Sequence, residues 1–355
     1  MIDKTDLRAA VAAGVLSEAQ AAHLDQLAHA RRGARSDLAV GDEPFELFRG
    51  FNEIFIVVGL IILAIGWSTM VGLFVTLGDT GNTFSRVVMA SLLGAGILWL
   101  LAEYFTRRRR MVAPSIALSV LWGGNALGGF SAAFAQPFMM VQEDFSSLPL
   151  PLVLTTLALL AFWWRFRVPF AMAMIALGAF AVALVLTASR AGNPDSFSEL
   201  FLLSAGGPFA LVTLVLGVVV FAVAMVFDMS DPHRVTRRSA NGFWLHVVAA
   251  PALVNTLALT LIESGQNALL TLVLLVFALV AIVIDRRSFL IAAVGYSVTL
   301  AFTVFGGEGG AYSIFALGVV LLLLGAFWER LRARLLRLMP FLPLDRLPPS
   351  YGATE

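Results

Sequence analysis

The residue types that could do chemistry in this chain are few, and most of them sit inside long apolar runs. In the stretch LWGGNALGGFSAAF, Asn125 has Trp122 three residues before it and Gly129 four after, which puts all three on one helix face. Such a face could form a substrate pocket with an aromatic wall and an amide that fixes orientation. Beside it, Gly124, Gly128 and Ala132 follow the small-xxx-small pattern that lets a neighbouring helix come close. The same residues therefore also read as a packing seam, with an interhelical amide hydrogen bond contributing about 0.6–2 kcal/mol. The packing reading is the preferred one. A second stretch, FWLHVVAAPALVN, supplies His246, Pro251 and Asn255. Pro251 has no N–H to give the carbonyl of Val247, so a kink is expected next to His246. His246 and Asn255 are nine residues apart, roughly 900° of helical rotation, so they face opposite ways and cannot share a site. A satisfied interfacial histidine and a packing amide are the simpler accounts of the two.

Ionisable groups in the bilayer are costly and usually mark function. Glu103 is the only carboxylate within the spans as read from sequence, and it precedes Arg107 by four residues, which predicts a snorkelled ion pair on one helix. Glu53, Asp228 and Asp285 are placed at cytoplasmic helix ends beside arginines or water. No deep carboxylate relay of the kind that drives proton pumps is expected. The outer-loop pair Glu143 and Asp144 could bind a cation but reads more simply as a solvated loop, and His23, His29 and His233 lack metal-ligand spacing. With no cysteine, no H-E-x-x-H, no G-x-S-x-G and no phosphate-binding loop, neither a catalytic residue nor a metal or other cofactor is assigned.

The elements that must position these residues follow from composition. The chain has 355 residues, of which 59% are apolar and 13% charged, and its mean hydropathy is +0.88. These values exclude a water-soluble globule and imply an all-α polytopic membrane protein. Ten spans are expected, at 54–77, 87–105, 111–135, 148–164, 168–188, 201–227, 243–262, 268–284, 289–305 and 311–328. Gly206-Gly207-Pro208 should divide the sixth into a short outer piece and a helix with Pro208 in its first turn. Arg165-Phe166-Arg167 should be the whole of a tight cytoplasmic hairpin between the fourth and fifth. Counted on alternate sides, 22 of the 24 Arg and Lys residues fall on one side and only Arg86 and Arg190 on the other, which places both termini in the cytoplasm. Trp163, Trp164, Trp244 and Trp328 lie near cytoplasmic arginines, as interfacial anchors should. No cleavable signal peptide is expected.

Three segments follow: residues 1–50 as a cytoplasmic helical hairpin and linker, 51–329 as the membrane domain, and 330–355 as a basic amphipathic tail. In the hairpin, Gly14 should stop a first helix and Ser17-Glu18-Ala19-Gln20 should cap a second. Its seam is too small to stand firmly alone, so the hairpin is expected to lean on the membrane body or a partner, and its mixed charge, 6 basic against 8 acidic, does not resemble that of a nucleic-acid binder. In the tail, Arg330, Arg332, Arg334 and Arg337 alternate with leucines, which suits either anionic lipid or a solvated extension of the last span.

The pattern LRAAVAAGVLSEAQAAHLDQLA followed by FNEIFIVVGLIILAIGW resembles the bacterial predicted-membrane-protein family of unknown function numbered 2157. Gly14, Leu16, Ser17 and Glu18 carry the match, which covers about the first 75 residues. The resemblance implies a bacterial inner-membrane protein and assigns no activity. Two functions are therefore expected from different classes. One is a carrier or lipid-handling protein using Trp122, Asn125, Gly129 and His246. The other is a scaffold or assembly factor that binds a protein partner through the hairpin.

Overall fold

The structure is a computed structural model that describes residues 9–17, 20, 24, 51–77, 83–137, 139, 144–194, 196–232, 234, 237–286, 298, 312, 315–328, 330–341, 343 and 346–348. Two compact units divide the chain, Met1–Leu47 and Phe48–Glu355. In the first, a short helix ends at Gly14, whose φ of 69° closes it. Ser17 and Gln20 then make the reciprocal bonds of a capping box. The Ser17 N–H donates to Gln20 Oε1 at 3.0 Å and the Gln20 N–H donates to Ser17 Oγ at 3.2 Å.

The second unit is helical, with no strand among the described residues. Among the described residues, eight helices are long and apolar enough to cross a membrane. They are α1 (Phe51–Thr76), α2 (Thr83–Ala102, continued as a π-helix over Glu103–Arg108), α3 (Ala113–Phe134), α4 (Pro149–Phe166), α5 (Phe170–Ala191), α6 (Phe209–Met229), α7 (Arg237–Glu263) and α8 (Asn267–Ile284). They coincide with the first eight expected spans. The ninth, 289–305, lies outside the described residues, and the tenth appears as the shorter α9 (Phe315–Trp328), with 330–338 again helical.

Local chemistry explains the boundaries. Arg167 takes a left-handed conformation, φ 54°, which ends α4 one residue after Phe166 and lets the chain reverse within the expected Arg-Phe-Arg hairpin. Its guanidinium lies over the Trp163 ring, 4.7 Å from the centroid. The sixth span divides as expected, into the 3-10 turns Phe197–Leu200 and Leu203–Ala205, a Gly206 with φ 72°, and α6. Pro208 stands just before α6 rather than within its first turn. Pro251 does not end α7, which remains helical on both sides of it.

Packing is organised around two hub helices. α3 touches α1, α2, α4 and α5, while α7 touches α5, α6 and α8. Small residues make the second hub possible: Ala249, Ala250, Ala252 and Ala258 of α7 are buried, so neighbouring backbones can close in without a hydrophobic drive between helices. α1 is the opposite case. Only Glu53 and Leu60 of its residues are buried.

Candidate functional site

The residues singled out from the sequence separate into two regions. In the first, the Asn125 side-chain amide on α3 donates to the Ser91 carbonyl on α2 at 2.9 Å. Trp122 points along the same seam but belongs to an aromatic core. Its ring lies 5.3 Å from that of Trp99 and 5.7 Å from that of Phe162, and its N–H donates to the Ala158 carbonyl of α4 at 3.0 Å. Gly129 is in the seam as well: a Cβ there would come within 2.7 Å of the Ser91 Cβ. The shared face of Trp122, Asn125 and Gly129 is thus a packed face. Trp122 is a core residue and does not line the cavity described below.

The glycine stripe needs a correction. Added Cβ atoms at Gly124 and Gly128 would meet nothing within 4 Å among the described residues. Ala132 is half-buried. The close approaches are made by Gly123 against Leu159 and Met174, Gly129 against Ser91, and Gly94 on α2 against the Asn125 side chain. The contact face is rotated by about one residue, roughly 100°, from the expected stripe.

Gly124 is open because it faces a cavity. Between the middle turns of α1, α2 and α3 lies a void of about 390 Å³. Leu60, Leu63, Leu98 and Leu121 form much of its wall, and its polar contributors are Trp67, Ser68 and Asn125. No charged side chain lines it. The Trp67 indole nitrogen and Asn125 Oδ1 converge on Gly94, where a Cβ would stand 3.2 Å and 2.7 Å from them. The sequence reading missed Trp67 and Ser68, although the polar break Gly66-Trp67-Ser68-Thr69 inside an aliphatic span was the signal available.

The second region centres on His246, and the partner of this histidine is a buried carboxylate that also holds an arginine. His246 is 0% exposed and its Nε2 lies 2.9 Å from Asp228 Oδ2. Arg286, 2% exposed, donates from Nε to the same oxygen at 2.9 Å and from Nη2 to Asp228 Oδ1 at 2.5 Å. A second Nη2 bond reaches the Ser239 carbonyl at 3.0 Å. The ends of α6, α7 and α8 are therefore joined through one carboxylate. Gly242 makes room for it, since a Cβ there would lie 2.2 Å from Asp228 Oδ1. Next along the chain, Asp285 pairs with Arg234 at 2.9 Å and accepts the Trp328 N–H at 2.7 Å. Asp228 and Asp285 thus stand at helix ends beside arginines, as expected, and both are buried there. Asn255 is half-buried and takes no part.

Glu53 also stands at a helix end, but backbone donors hold it in place of the expected arginine or water. It is 4% exposed and accepts the N–H groups of Val112 at 3.2 Å and Ala113 at 3.0 Å, so a carboxylate of α1 caps the N-terminus of α3. Glu103 does pair with Arg107, at 3.4 Å, but Arg165 of the α4 end is nearer at 2.5 Å.

On the opposite side of the membrane domain, hydrogen bonds from the Ser146 side chain and backbone hold the Asp144 carboxyl below the usual carboxylate range. Glu143 lies outside the described residues, and these contain no group of side chains able to hold a metal. No family model, curated protein or solved structure matches the chain.

Proposed function

We propose that this multi-pass membrane protein is a lipid-handling protein that binds a neutral, lipid-soluble molecule in the cavity between α1, α2 and α3. The observation that carries the reading is an uncharged void of about 390 Å³ with leucine walls and the Trp67, Ser68 and Asn125 polar groups in its lining. This is the usual constitution of a small-molecule site, an apolar cleft with a few polar groups that orient the guest. The cavity is bounded by central turns of three membrane helices, and Leu63 and Ile97 on its rim are 52% and 42% exposed, so access is sideways from hydrocarbon. A charged guest at that depth would cost several kcal/mol without a counter-ion, and the lining supplies none. A long chain or ring bearing one hydroxyl fits, accepting from the Trp67 N–H and donating to Asn125 Oδ1, whereas a carbonyl could use only the Trp67 N–H.

A photoreactive long-chain alcohol and the matching carboxylic acid test this on the purified protein. The alcohol should label α1 and α3 near Trp67 and Leu121, and the acid should label them weakly. Gly124→Leu directs a side chain into the void, and its first added carbon meets nothing within 4 Å among the described residues, so labelling should fall at least tenfold while the unfolding temperature stays within a few degrees. Equal labelling of Gly124→Leu and wild type would overturn the reading.

The orientation with both termini in the cytoplasm of a bacterial inner membrane belongs to the same proposal and rests on the arginine distribution. The scaffold alternative draws on the separate unit Met1–Leu47. Deleting that unit should leave probe labelling intact if the cavity is the functional site, and should abolish the deletion-strain phenotype's rescue if partner binding is.

A further inference from the structure

The helical residues Phe315–Trp328 and 330–338 present two faces with different fates. Trp328, Arg332, Ala333 and Leu336 are buried. Trp328 is bonded to Asp285, and Arg332, 0% exposed, donates to the carbonyls of Ile282 at 3.1 Å and Val283 at 3.3 Å. Those carbonyls are at the C-terminus of α8, where a cation is favoured by the helix dipole. The two anchors fix the rotation of the segment about its axis, and Arg332 is therefore not one of the solvated or lipid-facing arginines expected from the sequence.

With that rotation fixed, the other face is turned outward. Val320, Leu323, Leu324 and Phe327 line a groove of about 550 Å³ that ends at Arg330 and Arg334. Leu323 and Phe327 are about half exposed. The Arg330 guanidinium lies over the Phe327 ring at 5.9 Å, and neither Arg330 nor Arg334 has a carboxylate within ion-pair distance among the described residues. Arg330 and Arg334 are one turn apart, so both can reach a single phosphate. From Val320 to Phe327 the apolar row rises roughly 10 Å along the axis, enough for the upper half of an acyl chain.

We propose that this groove holds one anionic phospholipid, with its phosphate between Arg330 and Arg334 and one chain laid along Phe327, Leu324, Leu323 and Val320. The site is independent of the neutral cavity at α1–α3 and differs from it in charge. A soluble phosphate would satisfy the arginines and leave the apolar row uncovered. A zwitterionic lipid would cover the row and bring an ammonium beside two guanidinium groups.

The full-length protein, purified from mixed phosphatidylglycerol and phosphatidylethanolamine vesicles, tests the site by native mass spectrometry. Wild type should retain one phosphatidylglycerol in preference to phosphatidylethanolamine. The double variant Arg330→Gln/Arg334→Gln alters exposed side chains only, so it should fold normally and lose at least tenfold of that preference. Arg108→Gln/Arg110→Gln, which removes the same charge from the end of α2 and the residues after it, should keep it. Unchanged preference in the first variant, or an equal loss in the second, would overturn the proposal. So would displacement of the lipid by millimolar inorganic phosphate, which would indicate a soluble-anion site.

Discussion

Asp228 and Glu53 each bring a carboxylate into the packed body of the protein, and each is held by donors from a different element. Breaking a buried ion pair by removing one member leaves the other uncompensated and typically costs about 3–5 kcal/mol. Asp228→Leu should accordingly lower the unfolding temperature sharply, whereas Asp228→Leu with Arg286→Met should recover much of the loss. A double variant no more stable than Asp228→Leu alone, in detergent thermal melts, would show that the carboxylate is not clamped as described. Gly242→Ala should behave like a weaker form of Asp228→Leu, because the new Cβ displaces Oδ1. Glu53→Leu should cost about 1–3 kcal/mol per stranded N–H of α3, and Glu53→Gln less. None of these bonds was legible in the sequence. Spacing arguments reveal partners on the same helix, as for Glu103 and Arg107, but Arg286 reaches Asp228 from 58 residues away and Glu53 reaches Ala113 from 60. The sequence showed these acids near helix ends and gave no means of finding the donors that bury them.

At the scale of helices, the seam between α2 and α3 gives the sharpest test. Gly129→Leu and Gly94→Leu should both destabilise the protein, since their first added carbon already meets Ser91 and Asn125 at 2.7 Å. Gly128→Leu should be tolerated. Reversed tolerance, with Gly128 sensitive and Gly129 permissive, would restore the stripe expected from sequence and remove the cavity argument built on Gly124. Asn125→Leu should cost at most about 2 kcal/mol through the lost bond to Ser91. Eight spans, the Arg165–Arg167 hairpin and the division at Gly206-Gly207-Pro208 were readable because apolar length, charge and turn residues are local signals. The face of α3 was misread because glycine is compatible with both close packing and an empty wall, and only the position of α1 and α2 distinguishes them.

For the whole molecule, the 22 to 2 division of basic residues predicts that reporter fusions at Gly78, Gln142, Gly192, Gly265 and Gly307 all report the periplasm. A cytoplasmic signal from any of them would break the proposed topology. The polytopic class was legible from composition alone, while the cavity was not, because its lining comes from three helices that are distant in sequence and only their packing leaves the void. The central claim is that this void accommodates a neutral lipid-soluble guest, and the most direct measurement is a high-resolution electron cryomicroscopy map of the full chain in lipid nanodiscs. The account predicts elongated non-protein density between α1, α2 and α3, with a polar end at Trp67 and Asn125, and no such density in Gly124→Leu. A wild-type map in which α1 has closed onto α3, or in which the chain's own side chains fill the space, would contradict it.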